Sequence, residues 1–279
     1  MEEMTVDGAT IAWSDTGSGE PTLLVHAGVF GAWFAPLAPR LPGRVIRMLR
    51  AGYTDGPLPT STIGIVEHAA HAAALLNRLG TGPATVVGHS SGALIVLQLA
   101  QDRPDLVRRL VLSEPPLIDP LLDPADVSEI HATQGPAIGA AMAATAKGDR
   151  RGAYDAFMDE VCGPDHRDIV AGVLGPGGIA RAERDSTFFF TNEMPAIGGW
   201  TPVDPAGIAA PVLLVAGGES PGATHRLVAR LARLLPDAQV ATIAGANHLL
   251  PLTHPAGLAD LTTSRSAAPP GSSPRDRRS

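Results

Sequence analysis

At 279 residues, 44% of them apolar, the chain is long enough to bury one large α/β domain and too short to require two. A net charge of −7, with no basic stripe interleaved with aromatics, argues against a nucleic-acid partner. The single cysteine, Cys162, excludes an internal disulfide, and runs such as Leu94–Ala100 fall far short of a membrane span.

The N-terminus, Met1-Glu2-Glu3-Met4, is acidic and lacks the apolar stretch of a signal peptide, so a cytoplasmic location is expected. Pro21–His26 reads as a buried strand that ends in a turn at Ala27-Gly28, and Arg44–Leu49 as the next strand. Ser61–Leu79 has helical character with a stop at Gly80. Ala84–Val87 is a strand, Ser91–Asp102 a helix closed by Pro104, and Val107–Ser113 another strand. Pro211–Ala216 and Gln239–Ile243 are strands, with helix Thr224–Leu235 between them. This alternation predicts an α/β fold: a mostly parallel, doubly wound sheet with helices on both faces.

The alternation breaks between about Pro115 and Pro205, where helical stretches sit between Gly/Pro-rich joints. A helical cap over 116–204 is expected, inserted in a core made of 1–115 and 205–264. Residues 265–279 have the composition of a disordered tail.

Gly88-His89-Ser90-Ser91-Gly92 sits between strand Ala84–Val87 and the helix that starts at Ser91. Five residues alone are a weak pattern; the strand before and the helix after make it specific. A side chain on so sharp a turn needs small neighbours, which Gly88 and Gly92 supply. The turn lifts the Ser90 hydroxyl above the sheet, and the new helix aims free N–H groups at it.

With these residues in view, the chain resembles the α/β-hydrolase family over roughly residues 5 to 262. His26-Ala27-Gly28 stands where the family carries its His-Gly oxyanion turn. Arg50-Ala51-Gly52-Tyr53 is similar to the family's Arg-Gly-Tyr-Gly loop, although the Asp often found before it is Leu49 here. Gly245-Ala246-Asn247-His248 follows the last strand, where the family places its catalytic histidine. The resemblance implies an α/β-hydrolase fold with Ser90 as nucleophile and the order Ser, acid, His along the chain.

A serine hydroxyl needs a base, and imidazole titrates in a suitable range. Of nine histidines, His248 fits best, with His254 the fallback. His68 and His71, at i, i+3 on a helix, read as ordinary helix residues, and His89 as a pocket residue. The oxyanion donors are the N–H of Ser91 and one N–H of the turn after the first strand, from Gly28 or Val29. Trp33, Phe189 and Trp200 are further candidates for contact with substrate.

The acid is the difficult member. Where the family usually has Asp after strand Pro211–Ala216, this chain has Ser220. Glu114, at the end of the preceding strand, is the preferred substitute; Glu219, Asp204 or no acid remain open. In this respect the chain resembles the fungal zearalenone lactone hydrolases, which carry a Glu after that strand. Serine at the elbow argues against the branches that use an Asp nucleophile. The expectation is hydrolysis of an ester or lactone of a small hydrophobic substrate, without metal or cofactor. The alternative is a non-hydrolytic relative, either a cofactor-free lyase or cyclase or a ligand-binding protein. A homodimer stays open.

Overall fold

The computed structural model describes residues 1–264 except Pro57, Thr60, Leu117, Asp119, Pro120, Pro202 and Val203. The tail expected at 265–279 therefore lies outside the described residues.

Eight strands form one sheet: β1 (Glu2–Val6), β2 (Ala9–Gly17), β3 (Pro21–Val25), β4 (Arg44–Leu49), β5 (Ala84–His89), β6 (Val107–Ser113), β7 (Val212–Gly217) and β8 (Ala238–Ile243). Their spatial order is β1-β2-β4-β3-β5-β6-β7-β8. From β4 to β8 every pair is parallel, while β1 and β2 run antiparallel at one edge. That hairpin is absent from the expectations above, although Asp7-Gly8 signals it. Both residues have positive φ, 49° and 80°, as a two-residue hairpin turn requires.

β3, β5 and β7 are buried at every position, and their sequences are almost wholly apolar because both faces are covered. The two-residue period of a strand divides these side chains between two cores. Leu23, Val25, Val86, Leu110 and Leu214 face α1 (Ile65–Leu79), α2 (Ser91–Asp102) and α8 (Gly222–Leu234). Leu24, Val87, Val111 and Leu213 face Phe34, Leu37, α9 (Leu250–Thr253) and α10 (Pro255–Thr263).

The described chain between β6 and β7 is helical and contains no strand. It forms α3 (Pro124–Ala146), α4 (Arg150–Cys162), α5 (His166–Leu174), α6 (Pro176–Phe188) and α7 (Met194–Gly198). A π-helical turn, Phe189–Glu193, joins the last two. The insertion's own apolar cluster takes in Ala27, Val29 and Trp33 from the turn after β3, and Leu249 and Leu252 from beyond β8. It therefore packs on the loops at the carboxyl ends of the strands. Between β3 and β5 the strand order reverses, and the loops leaving these two strands flank the crevice where open α/β sheets bind ligands. No helix among the described residues is long and apolar enough to cross a membrane.

Candidate active site

Three neighbouring strands each end in a non-glycine residue, or a turn containing one, with left-handed backbone. Val29 follows β3 at φ 72°, Ser90 follows β5 at φ 51°, and Glu114 follows β6 at φ 49°. Such backbone costs about 1–3 kcal/mol per residue and persists only where its surroundings enforce it. At Ser90 the enforcement is visible. Its N–H donates to the Ser113 carbonyl at 2.9 Å, and α2 begins immediately after it. A Cβ on Gly88 would collide with the Gly92 carbonyl, and one on Gly92 with the carbonyls of Val25 and His26. Both glycines are thus needed for close approach of helix and sheet.

Glu114 is 2% exposed, and its carboxylate is fully engaged. Oε1 accepts from the Gly217 N–H at 2.7 Å and from the Ser220 hydroxyl at 2.8 Å. Oε2 lies 3.2 Å from His248 Nδ1. Burial pushes the Glu114 carboxyl up, but the hydrogen bond and charge of His248, with the Gly217 and Ser220 donors, outweigh it and hold it below the ordinary glutamate value. Ser90, Glu114 and His248 line one cavity of about 210 Å³. Its other walls are Pro115 and Pro116, Ile130 and Thr133 of α3, Phe157 and Val161 of α4, and Leu227 of α8. A carboxylate, an imidazole and a hydroxyl brought together at one edge of the sheet, after β6, β8 and β5, are the parts that acyl transfer through serine requires.

A profile of the alpha/beta hydrolase family matches residues 22–261. The chain belongs to the alpha/beta hydrolase family. It is 47% identical over 58 residues to lipase LipV of Mycobacterium tuberculosis, 21% of each chain, so it spans about a fifth of that relative's length. Among solved structures it is similar to a thermophilic esterase from Thermogutta terrifontis, with TM-score 0.71 and 19% identity over 94% of this chain and 96% of the other. An enol-lactonase from Burkholderia xenovorans LB400 gives TM-score 0.74 at 16% identity, covering 93% and 97%. At such identities the likeness to these two structures is one of fold.

The remaining candidates fall in different places. Glu219 is exposed and contributes its N–H to Ala246 O at 2.8 Å, while Asp204 accepts from the Ala206 N–H at 3.0 Å in a short 3-10 turn. Neither lines the cavity. His254 Nδ1 is 2.9 Å from the Thr253 hydroxyl, also outside it. Ser91 is buried at the first position of α2. Gly28 and Val29 lie in the turn after β3, where the Gly28 carbonyl accepts from Trp33 Nε1 at 2.8 Å.

None of the four residues expected to contact substrate lines this cavity. His89 is fully buried, with Nδ1 3.2 Å from the Ser113 carbonyl; burial, then the neighbouring His248, pushes its pKa well below the usual histidine value. Trp33 is buried between Phe30 and His89 and braces the turn after β3. Phe189 is packed against Gly28, occupying the space a side chain there would need. Trp200 donates to Gln98 Oε1 at 2.7 Å and lines a separate surface groove with Ile65 and Ala196. Large aromatic residues of an insertion are drawn to whichever apolar surface the fold offers, and here that surface lies behind the site.

Residues that the sequence reading passed over also gather here. Thr133, Gln134 and Glu160 join the cavity wall, and Glu193 joins Arg50, Tyr53 and His68, read above as a loop and a helix residue, in a buried charged group beside the turn after β3.

Proposed function

We propose that the protein is a serine hydrolase that cleaves a small carboxylic ester or lactone through an acyl-enzyme on Ser90. The observation that carries the reading is the buried Glu114 carboxylate set against His248 Nδ1, with Ser90 on the same cavity. With its Nδ1 proton directed at Glu114, the His248 ring leaves Nε2 unprotonated to act as base.

In the first step Ser90 Oγ attacks the substrate carbonyl carbon, and His248 takes the hydroxyl proton. The carbonyl oxygen becomes an oxyanion, met by the N–H groups of Ser91 and Gly28. The C–O bond then breaks, and His248 returns its proton to the leaving alkoxide. Water attacks the acyl-enzyme by the same route in reverse roles, releasing the acid and restoring Ser90. Glu114 stays ionised throughout and stabilises the imidazolium that forms twice in the cycle.

A cavity of about 210 Å³ with mostly apolar walls suits a short acyl chain. Glu129 and Glu160 also line it, and no Lys or Arg does among the described residues, which favours an uncharged substrate over a carboxylate. The helical insertion acts as the cap that forms this wall.

The test is labelling with a fluorophosphonate probe, alongside turnover of short p-nitrophenyl esters and a simple lactone. Wild type should label at Ser90 and hydrolyse at least one of them, and Ser90→Ala should do neither. Labelling that survives in Ser90→Ala, or a wild type inert to the probe, refutes the reading.

A further inference from the structure

The buried charged group beside the turn after β3 has no part in the steps above. Arg50 directly follows β4 and is fully buried, while Glu193, at the end of the π-helical turn, is 1% exposed. Glu193 pairs with Arg50 and accepts the Tyr53 hydroxyl, and His68 Nε2 lies 3.5 Å from its Oε1. A buried ion pair adds little stability over apolar side chains of the same size. Its geometry here gives it a different use.

Arg50 Nη2 donates to the Ala27 carbonyl at 2.8 Å. That oxygen also lies 2.6 Å from His26 Nδ1, while His26 Nε2 accepts the Arg50 N–H at 3.1 Å. A ring nitrogen that accepts carries no proton, so the proton of neutral His26 sits on Nδ1 and donates to Ala27. Two donors therefore fix one carbonyl. The Ala27–Gly28 peptide is trans and planar, so its N–H points away from its C=O. Pinning the Ala27 oxygen sets the direction of the Gly28 N–H, which reaches no backbone acceptor among the described residues. The next peptide is braced as well, since the Gly28 carbonyl accepts from Trp33 Nε1 and from the Phe30 N–H at 2.9 Å.

We propose that Arg50 and Glu193 are positioning residues for the oxyanion donor: Glu193 holds the guanidinium in place, and the guanidinium aims the Gly28 N–H through the Ala27 carbonyl. The inference rests on the serine-hydrolase reading. It also ties the donor to the insertion, whose π-helical turn supplies Glu193 and, four residues earlier, the Phe189 ring against Gly28. Seating of the insertion and assembly of the oxyanion site are thus one event.

Arg50→Lys keeps a cation but loses the fork that spans Glu193 and Ala27 together. Glu193→Gln keeps the shape and removes the charge. Active Ser90 is counted by fluorophosphonate titration, and turnover of p-nitrophenyl butyrate is expressed per titrated site. A donor that acts mainly in the transition state predicts kcat per site lower by roughly 10- to 100-fold, with KM within about three-fold. Affinity for a trifluoromethyl ketone, whose serine adduct places an oxyanion in the same site, should fall in parallel. A merely structural pair would instead lower the number of titratable sites and leave turnover per site within about two-fold; that result overturns the proposal. A wild type that fails to label at Ser90 overturns the hydrolase reading instead. Should neither variant fold, wild type with isotopically labelled arginine carries the test. Arg50 Nη signals move on ketone adduct formation under the proposal, because an oxyanion on the Gly28 N–H polarises the shared peptide. Unmoved signals overturn it.

Discussion

Replacing Glu114 with glutamine is the sharpest test of the acid. The substitution keeps side-chain length and removes the charge opposite His248. Two unit charges 3.2 Å apart attract by about 5 kcal/mol at an effective dielectric near 20. Glu114 is almost wholly shielded from solvent, so little of this is screened away. The amide adds a geometric fault. Oε1 receives two donors and Oε2 faces the histidine, so an NH₂ at either position meets another donor or reverses the ring's tautomer. Loss of 5 kcal/mol from the transition state is a fall of roughly 10⁴ in kcat. The assay is p-nitrophenyl acetate turnover per probe-titrated site, with circular dichroism to confirm folding and Glu219→Gln as control. Activity of Glu114→Gln within about ten-fold of wild type, or an equal loss in Glu219→Gln, would refute the assignment.

Two further outcomes follow from the same geometry. Ser220→Ala removes one hydrogen bond to the Glu114 carboxylate and leaves the Gly217 N–H in place, so turnover should fall only about ten-fold; a loss as large as that of Glu114→Gln would make the hydroxyl the essential partner. Burial holds His26, His68 and His89 below the usual histidine value of 6.5, His68 at about 4, so all three fold neutral. Their stabilising contribution is complete above pH 6.5 and is lost as the unfolded chain takes up protons below it, by up to roughly 4 kcal/mol per pH unit. Urea midpoints should fall between pH 6.5 and 5, with the slope reduced by Asp185, whose carboxyl burial raises to about 6 so that the folded chain binds its proton over this range; His68→Gln should flatten the slope further.

Much of the fold was legible because parallel strands and their helices write short, regular patterns. Pro21–His26, Ala84–Val87 and Val107–Ser113 are short runs rich in apolar and β-branched residues, and the structure places strands over each. The Glu114–His248 contact could be anticipated because both residues sit at strand ends, and strand ends on one edge of a sheet converge. Other features had no such local sign. Arg50 and Glu193 are 143 residues apart, and only docking of the insertion on the core brings them together. The aromatics of the insertion could be recognised as apolar, but the direction each faces depends on which surface lies beneath. Phe189 turned to Gly28 and Trp200 to the buried Gln98 of α2 for that reason. The β1–β2 hairpin was readable from Asp7-Gly8, whose flanking alternation is weakened by the exposed, acidic β1.

The left-handed residues at the strand ends have a consequence for how such a chain can drift over generations. Val29, Ser90 and Glu114 adopt backbone that glycine enters freely, so at Ser90 and Glu114 the proposed chemistry keeps a side chain where the backbone alone favours glycine. Under the proposed mechanism, selection for catalysis and ease of backbone therefore pull in opposite directions at the codons of Ser90 and Glu114. A lineage that no longer needed its substrate would gain by exchanging these residues for glycine. The exchange would resist reversal, since each step back destabilises the protein before any chemistry returns. The two positions together form a record of whether a descendant still works.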